Sequence, residues 1–180
     1  MQPRHPKRSL ARHAIPTHWL MTDERLGDGL WAALRRLPHG GGVVFRHYAT
    51  PAAERRRLFV RVLRIARARG LMVVRAGDQA MPGEMGVHGA AGWGLVTFPA
   101  HDRREAIKRV RAGATLLFVS PIFATRSHPG TRPLRHWQAA AMARGLPVRV
   151  ITLGGMDERR FRSVRRFGFH GYAGIDCWDR

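Results

Sequence analysis

The sequence predicts an α/β fold, a compact closed (β/α)₈ barrel. Eight short apolar stretches bounded by Gly, Pro or polar turns recur along the 180 residues. Most are continuously apolar, as expected of parallel strands covered on both faces. Helical patterns separate most of them, and alternation of strand and helix is the mark of a parallel α/β sheet.

Taken in order, the first stretch is "THWLMTD", followed by a helix over Gly29 to Leu37. "GGVVFRHY" precedes a helix from Pro51 to Ala68, where Thr50-Pro51 supplies a cap and an early proline. "GLMVVRAG" and "EMGVHG" are separated by only about eight residues, and "WGLVTFPAH" follows after fewer still. The third and fourth helices are therefore expected to be shortened or absent. Asp102 opens a helix to Arg111, "ATLLFVSPIF" follows, and Thr131-Arg132-Pro133 precedes a helix from Pro133 to Arg144. "LPVRVITLGG" leads into a helix from Asp157 to Phe167, and "HGYAGIDCW" closes the series. Barrels of this kind usually need at least about 200 residues. An open doubly wound sheet is the alternative, but it would use fewer strands and complete helices. Residues 1–14 are expected to form a disordered basic arm, and 15–180 a single domain.

A hydrophobic content of 44% suffices for one core. No apolar run reaches the roughly 18 residues of a membrane span, and the basic start carries no apolar segment of a secretion signal. A cytoplasmic location is expected, and the lone Cys177, read as a small core residue, fits a reducing compartment. The net charge of +20 raises a polyanion-binding module as one alternative. Lys7 and Lys108 are the only lysines, and the arginines are dispersed over several helix candidates, which argues for solvated faces and against nucleic acid. His5, His13, His39 and His170 fall in arms or turns and are expected at the surface. Trp19, Trp31 and Trp137 sit on apolar faces and are expected in the core, with Trp178 packing the C-terminus onto the barrel.

Chemistry in such a barrel gathers at the carboxyl ends of the strands. Those ends supply Thr22 and Asp23, Arg46 to Tyr48, Arg75, His88, His101, Gly154-Gly155 and Asp176. The stretch "FVSPIFATRSHPG" ends the sixth strand in a polar loop with Thr125, Ser127 and His128, a composition suited to an anion. The Gly154-Gly155 pair, leading into a helix start, offers backbone donors to a phosphate, or else simply permits a tight turn. Arg46 adds a fork of donors. Arg75, His88 and His101 form a further polar group at the same end, and no metal site is read from the residues.

From His18 to Trp178 the sequence resembles the thiamine phosphate synthase and TenI superfamily of compact barrels. The resemblance rests on Thr22-Asp23, the strand ending in Arg46, "GVH" at Gly86 to His88, "SPIFATRS" at Ser120 to Ser127, and "LGG" at Leu153 to Gly155. The resemblance implies a transferase of thiamine biosynthesis that joins hydroxymethylpyrimidine diphosphate to a thiazole phosphate, with Mg²⁺ neutralising the departing pyrophosphate. It places Arg46, Thr125 and Ser127 at pyrophosphate or phosphate contacts, and Gly154 and Gly155 at the thiazole phosphate.

Several motif positions depart from the family. Its Gln-x-Arg-x-Lys reads Val44-Phe45-Arg46-His47-Tyr48, and its Asn-Asp-Arg reads Val73-Val74-Arg75. The second magnesium carboxylate aligns near Trp93, the lysine after the threonine loop is His128, and a phosphate-binding serine is Asp176. Asp78 or Asp23 stand as substitute carboxylates. The TenI catalytic histidine aligns with Pro121, leaving His88, His101 or His128 for that role. The expectation is a barrel with a phosphate-binding mouth, a degenerate magnesium and pyrophosphate site, and a small phosphorylated ligand. The alternatives are an active divergent synthase, a TenI-like tautomerase and the polyanion module. A degenerate barrel would have its mouth filled by Tyr48, Val74 and Trp93.

Overall fold

The computed structural model describes residues 14–125, 130 and 132–178. Strands β1 (His18–Met21), β2 (Gly42–Phe45), β3 (Met72–Ala76), β4 (Gly86–His88), β5 (Leu95–Ala100), β6 (Leu116–Val119), β7 (Arg149–Thr152) and β8 (Gly171–Gly174) form one closed parallel barrel. Closure is made by β1 against β8, with Trp19 opposite Ala173. Five α-helices wrap it: α1 (Gly29–Arg36), α2 (Ala52–Ala68), α3 (Arg103–Arg111), α4 (His136–Met142) and α5 (Glu158–Val164). No helix lies between β3 and β4 or between β4 and β5, as the short spacing predicts. The eighth helix is reduced to the 3₁₀ turn Asp176–Trp178.

The strands read as apolar runs because both faces are covered. Register partners share a face, so Trp19, Gly42 and Met72 point the same way, as do Thr97, Leu116 and Arg149. Inside, the Trp19 and Phe118 rings meet edge to face at 5.4 Å. A Cβ on Gly42 would lie 2.3 Å from the Trp19 ring, so glycine makes room for the indole. Outside, Phe45 packs on Phe59 of α2.

Where the third helix is missing, the loop of residues 77–85 covers the barrel with polar ties. Arg75 Nε lies 2.8 Å from Glu84 Oε2, with both side chains largely buried. The same carboxylate accepts the Met81 amide at 2.9 Å. Arg55 of α2, also buried, donates to the carbonyls of His47 and Ala76, which stitches α2 to the ends of β2 and β3.

Asp102 and Asp157 cap α3 and α5 by accepting from the Glu105 and Arg160 amides. Helix α4 starts three residues later than the proline suggests. Residues 132–135 are not helical, and the Leu134 amide donates to the Pro121 carbonyl at 2.8 Å. Trp137 is 56% exposed, a correction to its expected place in the core; it lies on the first turn of α4 and only Ala139 and Met142 of that helix are buried. Trp19 and Trp178 are buried as expected, whereas Cys177 is only half-buried. The expected N-terminal arm lies outside the described residues except for exposed Ala14.

Candidate functional site

At the carboxyl ends of β6 to β8 a cavity of about 220 Å³ brings together Thr125, Gly154 and Gly155 with Arg25, Arg160 and Asp176. The loop after β6 lies directly on the loop after β7. Ile122 donates to the Leu153 carbonyl at 3.0 Å and Phe123 to the Gly154 carbonyl at 3.1 Å. Gly154 and Gly155 have φ of +93° and +59°. A Cβ on Gly154 would stand 2.9 Å from the Pro121 Cα, and one on Gly155 2.4 Å from the Ala124 carbonyl oxygen. The glycine pair is therefore needed both for its backbone conformation and for the close approach of two loops. Arg160 donates to the Gly155 carbonyl and lies over the Phe123 ring at 5.1 Å.

Arg46 does not line this cavity. Its Nε donates to the Thr22 carbonyl at 2.8 Å, and an end nitrogen lies 2.9 Å from Asp23 Oδ2. Burial pulls its pKa below the usual guanidinium value, partly opposed by Asp23, and it stays charged. Asp23 is also 3.9 Å from Arg25, which reaches Asp176 at 3.3 Å. Arg46 and the cavity are thus joined by a chain of ion pairs along one rim.

The remaining predicted polar residues separate. His88, the last residue of β4, is buried beside Phe118 and within 2.9 Å of the Thr97 hydroxyl. That hydroxyl donates to the Val87 carbonyl, so it accepts the Nδ1 proton and leaves the lone pair on Nε2. Burial, then the positive charge of Arg46, pushes the His88 pKa down to about 4, so the ring is neutral at pH 7. His101 is exposed and its Nδ1–H donates to the Ser120 carbonyl at 3.0 Å. Arg75 belongs to the ion pair with Glu84 already described. Ser127 and His128 lie outside the described residues.

Sequence reasoning missed Arg25 and Arg160, and it named His47 only within the strand-end run Arg46 to Tyr48. His47 is buried with φ of +28°, stacks on Phe45, and hydrogen-bonds the Thr22 hydroxyl at 3.0 Å. Burial lowers its pKa, against the pull of Glu24 and Asp23. The signal for Arg160 was its place in the first turn after the Asp157 cap, which turns it back towards the glycine pair.

A sequence model of the family described as thiamine monophosphate synthase matches residues 64–177. The chain belongs to that family. It is 31% identical over 84 residues to a putative thiamine-phosphate synthase 2 of Aquifex aeolicus, a match covering 47% of this chain and 45% of that protein. Identity is again 31% over 84 residues to a thiamine-phosphate synthase of Chloroflexus aurantiacus, covering 46% and 39%. The match thus spans less than half the length of either curated relative. The fold is similar to that of a thiamine phosphate pyrophosphorylase from Pyrococcus furiosus, with a TM-score of 0.75, 16% identity, and 89% of this chain and 85% of that one covered. A thiamine phosphate pyrophosphorylase from Bacteroides thetaiotaomicron gives 0.58, 19%, 91% and 84%. No helix among the described residues is long and apolar enough to cross a membrane.

Mg²⁺, which the family implies, needs hard oxygen ligands. At the positions that the family resemblance gives to its carboxylates stand Val74, fully buried inside the barrel, and Trp93, 54% exposed. Among the described residues no three His, Cys, Asp or Glu side chains converge on one point. Asp23 and Asp176 are each tied to an arginine, and Asp78 is exposed. These residues do not fit the ion. The mouth is not filled by Tyr48 and Trp93 as a plugged site would require: Tyr48 is 63% exposed, and Trp93 stands two residues before β5, at the opposite end of the barrel.

Proposed function

We propose that this chain is a phosphate-binding barrel of the thiamine monophosphate synthase family that has kept the thiazole phosphate half of the site and lost the magnesium and pyrophosphate half. The observation that carries the reading is the cavity uniting Thr125, Gly154 and Gly155 with Arg25 and Arg160; Val74 inside β3 and Trp93 before β5 stand at the positions the family resemblance gives to its carboxylates. A phosphate monoester fits that set. The glycine pair lets backbone come close to phosphate oxygens, the Thr125 hydroxyl can donate, and two guanidinium groups supply charge. Asp176 opposes them and keeps affinity modest.

Ionising the pyrimidine carbon demands strong stabilisation of departing pyrophosphate. Each tenfold in rate requires about 1.4 kcal/mol, and several such steps normally come from metal and lysine. Val74, Trp93 and Tyr48 remove those contributions together, so synthase turnover is weak or absent. Calorimetric titration with hydroxyethylthiazole phosphate, in Mg²⁺ and again in chelator, tests the reading. Equal binding in both is expected; failure to bind in either would overturn it.

A second reading, rearrangement of a bound thiazole phosphate as in the TenI branch, is favoured by one observation. His88 is neutral at pH 7 and, among the described residues, nothing hydrogen-bonds its Nε2, so its lone pair is open to a proton, although burial makes it a weak base. Tautomerisation followed by NMR should be lost in His88→Gln while phosphate binding persists. Unchanged isomerisation in that variant would remove the reading.

A further inference from the structure

The charged residues sort along the barrel axis. Acidic groups follow the strand carboxyl ends: Asp23 and Glu24 after β1, Asp102 and Glu105 at the start of α3, Asp157 and Glu158 at the start of α5. Helix caps and dipoles explain that placement. At the opposite face, where chain enters the strands, the ends of the helices are cationic. Arg35 and Arg36 end α1, and Lys108 and Arg111 end α3. Arg165 and Arg166 follow α5 in a 3₁₀ turn. In the described segments leading into the strands, Glu84 is buried in its ion pair with Arg75.

On this face lies an open groove of about 880 Å³ between the end of α4 and the segment entering β8. Arg144, Arg149, His170 and Phe167 line it. Arg149 lies 3.4 Å from His170 Nδ1, and His170 Nε2 lies 2.9 Å from the Ile15 carbonyl oxygen, so no carboxylate stands between the arginine and the groove. Arg166 lies over the Phe167 ring at 5.2 Å. None of Arg144, Arg149, Arg165 and Arg166 makes a salt bridge among the described residues.

We propose that this amino-terminal face of the barrel, centred on the groove lined by Arg144, Arg149 and Phe167 and flanked by Arg165 and Arg166 of the adjoining 3₁₀ turn, docks single-stranded nucleic acid. Arginines without acidic partners meet the backbone phosphates, and a recessed groove with an aromatic wall suits an unpaired base. An anionic membrane fits less well, because none of the exposed large apolar residues Tyr48, Val60, Trp93 and Trp137 lines the groove, and Trp93, before β5, is the one among them that stands in a segment entering a strand.

The full-length chain is titrated into a labelled mixed-sequence RNA of about 16 nucleotides, followed by anisotropy. Binding is expected to weaken at least tenfold between about 50 and 200 mM salt. Arg149→Glu, Arg165→Glu and Arg166→Glu combined should weaken it at least tenfold more at constant salt. Arg56→Glu with Arg57→Glu, on the exposed first turns of α2 at the mouth end, should change it less than threefold. A milder Arg→Gln triple covers the case in which charge reversal prevents folding, with circular dichroism as the check. Unchanged binding in the groove variants, an equal loss in the α2 variants, or tighter association with phosphatidylserine vesicles than with RNA would each overturn the proposal.

Discussion

Protonating His88 should unfold this protein in a measurable way. The ring sits inside the barrel against Phe118, with only 8% exposure and an Nδ1 hydrogen bond to Thr97. Its pKa is pushed down to about 4 in the fold and returns to an ordinary value of about 6.5 in the unfolded chain. The folded value is the lower one, so the fold favours the neutral ring. Stability is full above the ordinary value and is lost as pH falls from there towards 4. Linkage gives a loss of about 2 kcal/mol at pH 5 and about 3 kcal/mol at pH 4. Urea unfolding of wild type and His88→Gln at pH 7, 6, 5 and 4 isolates this contribution, because His47 and the carboxylates remain in both. The two stability curves should converge as pH falls. Parallel curves, or an NMR titration of the ring with a midpoint near 6.5, would refute the reasoning.

Three further outcomes follow from the same geometry. Gly155→Ala, strained at φ of +59° and brought to 2.4 Å from the Ala124 carbonyl oxygen, should cost at least about 1 to 2 kcal/mol in urea unfolding and weaken thiazole phosphate binding tenfold or more by calorimetry. Asp176→Ser should strengthen that binding severalfold by removing a negative group from the cavity wall, an effect that fades in high salt. Glu84→Gln leaves Arg75 largely buried beside a neutral side chain and should destabilise the fold by about 3 kcal/mol, with mouth ligands bound as before once folded.

The barrel was legible because both faces of every strand are covered, which leaves continuous apolar runs, and because the chain between Arg75 and Gly94 is too short for two helices. Thr125 and the Gly154-Gly155 pair were legible as neighbours because their strand ends converge whenever such a barrel closes. Arg46 and Arg75 show the limit of that reasoning. Both stand at strand ends, yet Asp23 and Glu84, each brought near by a loop, decide where the guanidinium groups point. No periodicity reports such loop contacts. Trp137 failed for a related reason: an apolar residue on a helix of only seven residues has little face to bury. The arginines carry the opposite lesson. Those that end the helices, dispersed along the sequence, share one face because every helix of a parallel barrel ends at the same side.

Product formation tests the central claim most directly. The chain is incubated with hydroxymethylpyrimidine diphosphate, hydroxyethylthiazole phosphate and Mg²⁺, and thiamine phosphate is read as thiochrome fluorescence beside an ordinary synthase of the family. With thiazole phosphate bound at the mouth and Val74 and Trp93 in place of the metal carboxylates, the account predicts weak or undetectable product. Turnover within about tenfold of the synthase, equivalent to no more than about 1.4 kcal/mol of lost transition-state stabilisation, would contradict it.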